Sequence, residues 1–128
     1  GKDPHDLNAL GISPVAGADD LAAGTAGVAA VRVGPELTSY LIDLVTATRL
    51  DRRLVLGASP RAALTVLRMA KATALIAGQP YVVPDHVKHV APAVLGHRLV
   101  LGPDARVAGI NGTEIVGEAL NAVRTPAL

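Results

Sequence analysis

Cysteine, phenylalanine and tryptophan are absent from this 128-residue chain, and Tyr40 and Tyr81 are its only aromatics. Without cysteine there is no disulfide, no thiolate nucleophile and no zinc-finger ligand set, and the redox compartment stays open. So few aromatics leave little on which nucleic-acid bases could stack. A charge excess is missing as well. Twelve Lys and Arg face eleven Asp and Glu, for a net charge of +1. Steering of a partner by whole-molecule charge is therefore weak. No apolar run approaches the roughly 18 residues of a membrane span. The opening Gly1-Lys2-Asp3-Pro4-His5-Asp6 is polar and shows no signal-peptide pattern. These absences make a cytoplasmic protein the default, with no membrane partner. The chain opens on Gly1, which reads as a cloning scar, and it looks cut from a longer protein.

What is present is aliphatic. Half of the residues are apolar, nearly all Ala, Val, Leu and Ile. Most of these favour helix, and the length suffices for one domain with its own core. Residues 1–18 carry Pro4, Gly11, Pro14 and Gly17 and read as a linker, with one turn near Asp6–Leu10. A first helix is expected from Asp19, capped by Asp19 or Asp20, with Leu21, Val28 and Val31 inward. Gly24 and Gly27 weaken it. Gly34-Pro35-Glu36 starts a second helix, with proline at its first position and an acid in the first turn. Leu37, Tyr40, Leu41, Leu44, Val45 and Thr48 then follow helical spacing. Leu50–Gly57 reads as a loop.

A third helix is expected from Ser59 or Pro60 to about Ala77, closed by Gly78 and Pro80. Its inward stripe is Ala63, Val66, Leu67, Ala70, Ala74 and Ala77. A short extended piece at Tyr81-Val82-Val83 fits the pattern. Pro84 and Asp85 open a fourth helix with Val87, Val90 and Ala91 inward. Pro92 should kink or end it, with a further turn at Val94-Leu95. His97–Leu101 alternates weakly and reads as extended, and Gly102–Gly112 reads as loop. Thr113-Glu114 opens a last helix to about Val123, with Ile115, Val116, Ala119, Leu120 and Val123 inward. No internal repeat is visible. The sum is an all-α fold, a small bundle of four to five helices over residues 19–128.

One charge is out of place. In "LGASPR", Ser59 suits an N-cap and Pro60 the first helical position. Arg61 then puts a cation in the first turn, against the positive end of the helix dipole, at a cost of about 0.3–1 kcal/mol. From Arg52 to Pro84 there are five cations, Arg52, Arg53, Arg61, Arg68 and Lys71, and no Asp or Glu. Backbone N–H groups and a guanidinium converging on one volume describe an anion site, most simply for phosphate. A solvent-screened surface arginine satisfies the same pattern.

Other constellations are weaker. His86 and His89 stand at i, i+3, whereas the HExxH zinc pattern needs i, i+4 with a glutamate between; no metal site is read here. Glu36 and Asp43 are too few and too scattered for a paired-carboxylate hydrolase. Ser59 has no nearby His and is better explained as a cap than as a nucleophile. His97-Arg98 reads as a loop pair bonded to carbonyls. No phosphate-cradling glycine loop occurs, so the chain cannot by itself hold a triphosphate and its magnesium.

Taken together, "YLIDLVTATR", "LGASPRAALTVLRMAKATALIAGQPYVVPDHVK" and "APAVLGHRLVL", in that order, resemble the C-terminal lid of MoxR-family AAA+ ATPases. The likeness covers residues 19–124, and residues 3–18 resemble the segment leading in from the nucleotide-binding core. The resemblance implies that Arg61 is the sensor 2 arginine, which reaches toward the γ-phosphate of ATP. It implies that Ser59 and Pro60 set the helix start and aim it. The resemblance assigns no role to Arg49, which is read as a candidate interdomain residue and counted with Arg61, Ser59 and Pro60 among the nucleotide-binding candidates. ATP and magnesium would be held mainly by the core, which carries the Walker motifs and the arginine finger. This fragment would not hydrolyse ATP alone, while the full-length protein would. The partners implied are the protein's own AAA+ core, neighbouring subunits in a ring (often a hexamer) and proteins with von Willebrand factor A domains, in a chaperone-like role. Apolar surface should be exposed where core and neighbour dock. The sequence departs from the family at Gly24, Gly27 and His86. The alternative is a stand-alone helical module binding protein or nucleic acid through Arg49, Arg52, Arg53, Arg61 and Lys71. Net charge and the shortage of aromatics weigh against nucleic acid.

Overall fold

A computed structural model describes residue 3 and residues 5–127 of the chain; Gly1, Lys2, Pro4 and Leu128 lie outside the described residues. The fold is built from six α-helices and one two-stranded ribbon among those residues. Helix α1 spans Ala18–Ala30, α2 Pro35–Leu50, α3 Pro60–Ile76 and α4 Pro84–Leu95. A 3-10 turn at Gly96–Arg98 leads to the short α5, Pro103–Val107, and to α6, Gly112–Ala122. Strand β1, Leu54–Leu56, pairs antiparallel with β2, Val100–Leu101, with Leu54 opposite Leu101 and Leu56 opposite Val100.

Proline at the first helical position starts α2, α3, α4 and α5, where its missing N–H and fixed φ do no harm. Helix α6 starts on Asn111 instead. Its side chain accepts from Glu114 N at 3.0 Å, and Glu114 Oε2 accepts from Asn111 N at 3.2 Å. This reciprocal capping box satisfies two otherwise orphaned donors, one residue before the start read at Thr113.

The six inward positions of α2 are all buried, from Leu37 to Thr48. Val66, Ala70 and Ala74 of α3 pack inward, and α4 contributes Val87, Val90, Ala91 and Leu95. Helix α3 lies against α4, and α4 against α6, whose Ile115, Val116 and Ala119 close the core. The alanine stripe of α3 lets helix axes approach closely. Arg32 N donates to Pro80 O and Val82 N to Arg32 O, which ties the α1–α2 connection to the α3–α4 connection through a bridge at Tyr81.

Several expectations are corrected. Helix α1 begins at Ala18 on Gly17, whose N–H donates to Asp20 Oδ2 at 2.7 Å, and Leu21 is 71% exposed. None of its residues is buried, because no element among the described residues covers its outer face. Gly24 and Gly27 do not break it; Gly27 leaves room for the Leu75 side chain. In α3 the inward stripe includes Ala62, and Ala77 is exposed beyond the helix end. Leu50–Gly57 holds strand β1 and not only loop. Pro92 lies inside α4 without ending it, since burial of Ala91 and Leu95 on either side holds the last turn in place. His97 and Arg98 sit in the 3-10 turn, so the extended backbone begins at Leu99 and only Val100–Leu101 pairs as strand. Gly102–Gly112 contains α5, a helix too short to show a period. The count is therefore six helices where the sequence indicated four to five.

Candidate functional site

The helix start that carries Arg61 is built from both sides. Ser59 is the N-cap of α3, and its Oγ accepts from Ala62 N at 3.2 Å, so the capping role read from the sequence is what the hydroxyl does. Pro60 occupies the first helical position and Arg61 the next. Arg61 is exposed, and among the described residues its guanidinium has no hydrogen-bond or ion-pair partner. Only its backbone carbonyl is used, accepting from Thr65 Oγ1 at 3.0 Å.

Just upstream, Ala58 is buried and the chain presses against the end of α2. Ala58 N donates to Thr48 Oγ1 at 3.0 Å, and Ala58 O accepts from Arg49 Nε at 2.8 Å. Thr48 is fully buried and donates its own hydroxyl to Val45 O at 2.7 Å. A Cβ on Gly57 would stand 2.7 Å from both Cα and N of Arg49, so only glycine allows this approach.

The acid-free flank is free of acids in sequence but not in space. Arg53 Nη2 lies 2.7 Å from Asp51 Oδ2 and 2.5 Å from Glu118 Oε2, the latter brought in by α6. Lys71 Nζ donates to Ala29 O at 2.9 Å, at the C-terminal end of α1, where the dipole favours a cation. The five cations are thus not one patch: Arg53 and Lys71 are occupied within the fold.

Hydrogen bonding to the Arg53 guanidinium holds the Asp51 carboxyl below the usual carboxylate range, and that of Glu118 likewise. The same bonds make Arg53 hold its proton more tightly. A carboxyl with a lowered pKa in the fold contributes stability above its unfolded value, and that contribution is lost as pH falls through the folded value. Asp51→Asn should therefore remove part of the acid sensitivity. Urea midpoints of the two proteins should converge as pH falls from about 5 toward about 2, with wild type the more stable at the upper end. A constant gap across that window would contradict the pairing.

Two apolar grooves meet at this helix start. One, of about 380 Å³, runs between α2 and α3 and is lined by Leu41, Ile42, Val45, Pro60 and Leu64. The other, of about 360 Å³, lies between β1 and the α3 cap; Arg49 and Pro60 line both. Of the residues lining them, Ile42, Val55, Leu56 and Leu64 are exposed. The histidines point elsewhere. His86 Nδ1 accepts from Val83 N at 3.1 Å and caps α4, and His97 Nδ1 contacts Ala93 O at 3.0 Å. No group of three His, Asp or Glu that could hold a metal occurs among the described residues.

The AAA lid domain family matches residues 46–119, more than half of the chain. The chain belongs to that family. The lid domain is 34% identical to the YeaC protein of Bacillus subtilis over 122 residues, 95% of this chain and 38% of the relative. It is 37% identical over 99 residues to a protein of Mycobacterium tuberculosis named chaperone MoxR1, 70% of this chain and 26% of the relative. A crystal structure from Cytophaga hutchinsonii, assigned as an ATPase, superposes with a TM-score of 0.75 at 32% identity, over 80% of this chain and 34% of that one. With further relatives named MoxR, these make it the lid of a MoxR-family AAA+ protein. The lid spans about a third of the length of the relatives it matches, between 26% and 38%.

In this lid Ser59, Pro60 and Arg49 line one cleft, whereas Arg61, the next residue along the chain, lines neither groove. The contribution of Thr48, Gly57 and Ala58 escaped sequence reasoning. The available signal was a lone hydroxyl, Thr48, on an otherwise aliphatic stripe. Nothing local in the sequence announces the pairing of Arg53 with Glu118, which are separated by 65 positions.

Proposed function

We propose that the chain is the nucleotide-sensing lid of a MoxR-type AAA+ ATPase with a chaperone-like role, and that Arg61 is its sensor 2 arginine. The observation that carries this is an exposed guanidinium, unpartnered among the described residues, in the first turn of α3. Left alone it is slightly unfavourable there. A charge-assisted bond to phosphate, at about 1.5–3 kcal/mol, reverses the balance once the anion is present. Ser59 and Pro60 fix the helix start from which Arg61 leaves, the Arg61 guanidinium supplies the donors, and the chain carries no Asp or Glu from Arg52 to Pro84.

ATP and magnesium would be held mainly by the AAA+ core, for which residues 1–18 are the connecting linker and residues 19–128 the lid itself. The metal's chemistry, neutralising charge on the triphosphate, belongs to that core. The lid binds, orients and reports. Closing over the nucleotide brings Arg61 to the γ-phosphate, and the resulting lid angle is passed to the neighbouring subunit of a ring as a rigid-body movement. The two apolar grooves around the start of α3 are the surfaces offered to core and neighbour. A protein with a von Willebrand factor A domain is the partner class we propose for the assembly, in the cytoplasm. Nucleic-acid binding is not proposed, because Arg49, Arg53 and Lys71, which it would use, are engaged within the fold. ATP turnover by full-length protein carrying Arg61→Ala tests the reading; unimpaired turnover would overturn it.

A further inference from the structure

The end of α2 holds the residue before the α3 cap by both of its backbone polar groups. Ala58 is 1% exposed, so its N–H and C=O must find partners inside the protein. Two consecutive residues of the last turn of α2 supply them. Thr48 Oγ1 takes the N–H at 3.0 Å, and Arg49 Nε gives to the carbonyl at 2.8 Å. The Thr48 hydroxyl hydrogen is already committed to Val45 O, which leaves its lone pairs for the Ala58 N–H. Gly57 permits the contact, since any Cβ there would strike the Arg49 backbone. The clamp ends one residue before Ser59, and the capped first turn that follows is stiff.

We infer that Thr48 and Arg49 are positioning residues for Arg61: by gripping Ala58 from both sides they fix where α3 begins and the direction in which its first-turn guanidinium leaves the helix. This rests on the sensor reading of Arg61 and deepens it. Arg49 then acts without touching nucleotide. Its guanidinium serves as a bracket between two elements, and lysine cannot substitute for it because the bond uses Nε–H. Core packing of α3 against α4 sets the axis of the helix, while the clamp sets its start. Loss of the clamp should therefore blur the aim of Arg61 more than it disturbs the fold.

The experiment measures ATP and ADP affinity side by side in full-length protein, by titration with fluorescent nucleotide analogues, together with the thermal midpoint. Arg61→Ala is the reference and should lower the preference for ATP over ADP by about tenfold, the loss of one charge-assisted bond. Thr48→Val and Arg49→Met should each lower that preference by about threefold or more with ADP affinity unchanged. Thr48→Ser, which keeps the hydroxyl, should restore it to within about twofold. If Arg61→Ala collapses the preference while Thr48→Val and Arg49→Met keep it and lower only the thermal midpoint, the clamp is structural alone and the inference fails. If Arg61→Ala leaves the preference untouched, the sensor reading fails and takes the inference with it. Arg49→Met keeps the test open should Thr48→Val fold poorly, because it removes an exposed head group and leaves the stem.

Discussion

Full-length protein carrying Arg61→Ala is expected to turn over ATP about a hundredfold more slowly than wild type, while the lid should unfold at the same temperature or slightly higher. The two halves of this expectation have different causes. Donors placed where charge develops on a transferring group are worth about two to three orders of magnitude in rate when removed singly. Within the fold, Arg61 stands exposed, without a described partner, and in the first turn of α3. Alanine there removes a cation from the positive end of the helix dipole, a gain of a few tenths of a kcal/mol up to about 1. A substitution that damages activity and mildly stabilises the domain marks a residue kept for a ligand. Arg61→Lys should recover part of the rate, since a point charge remains but the planar fork is lost. Steady-state turnover and differential scanning calorimetry on the same preparations read both halves. Equal losses of activity and thermal stability would assign Arg61 to the fold instead.

Leu44→Ala has the largest expected effect on stability. Leu44 is fully buried in the middle of α2, on the face that meets the rest of the core. That core is aliphatic apart from Tyr40, and its α3 wall is largely alanine, so few large side chains can move in to fill a hole. Leu→Ala at such sites costs about 2.7–5 kcal/mol, the upper end where the surroundings cannot collapse. Total stabilities of domains are about 5–15 kcal/mol, so the thermal midpoint should fall by roughly 10–20 °C. Leu64→Ala, the same chemistry at a position 58% exposed on α3, should stay within about 0.5 kcal/mol of wild type. Urea denaturation of the two variants decides the matter, and a comparable loss from both would mean that the groove around Leu64 is closed in solution.

The contrast between those two leucines also shows what the sequence could reveal. Helix α2 was legible because proline, an acid and six inward residues at helical spacing agree with one another. Helix α3 was legible for the same reason, down to its Ser59 cap. An alanine-rich helix blurs its own face, however. Ala62, Ala63 and Ala77 look alike in a pattern, and only the folded chain shows that Ala62 is buried, Ala63 half-buried and Ala77 exposed beyond the helix end. Leu21 misled for the opposite reason, because its hydrophobicity is real but no element among the described residues covers it. Pro92 and α5 were lost to context: burial holds a helix through a proline, and five residues cannot display a period.

The candidate site divides in the same way. Arg61 could be picked out because a local rule, the sign of the helix dipole, is broken there with no local compensation. The clamp on Ala58 could not, since each of its residues has an unremarkable local explanation. Thr48 completes an inward stripe, Arg49 suits the end of a helix, and Gly57 suits a turn. Their joint role exists only once α2 and the strand that follows it are folded against each other. Likewise, the flank from Arg52 to Lys71 looked uniformly cationic until α6 brought Glu118 to Arg53.

The most direct measurement is a structure of the full-length protein with magnesium and a slowly hydrolysed ATP analogue. The account predicts an Arg61 guanidinium nitrogen within about 3 Å of a γ-phosphate oxygen, with Ala58 still held by Thr48 and Arg49. An Arg61 side chain turned to solvent, or paired with a carboxylate of the core while the γ-phosphate is met by another cation, would contradict it.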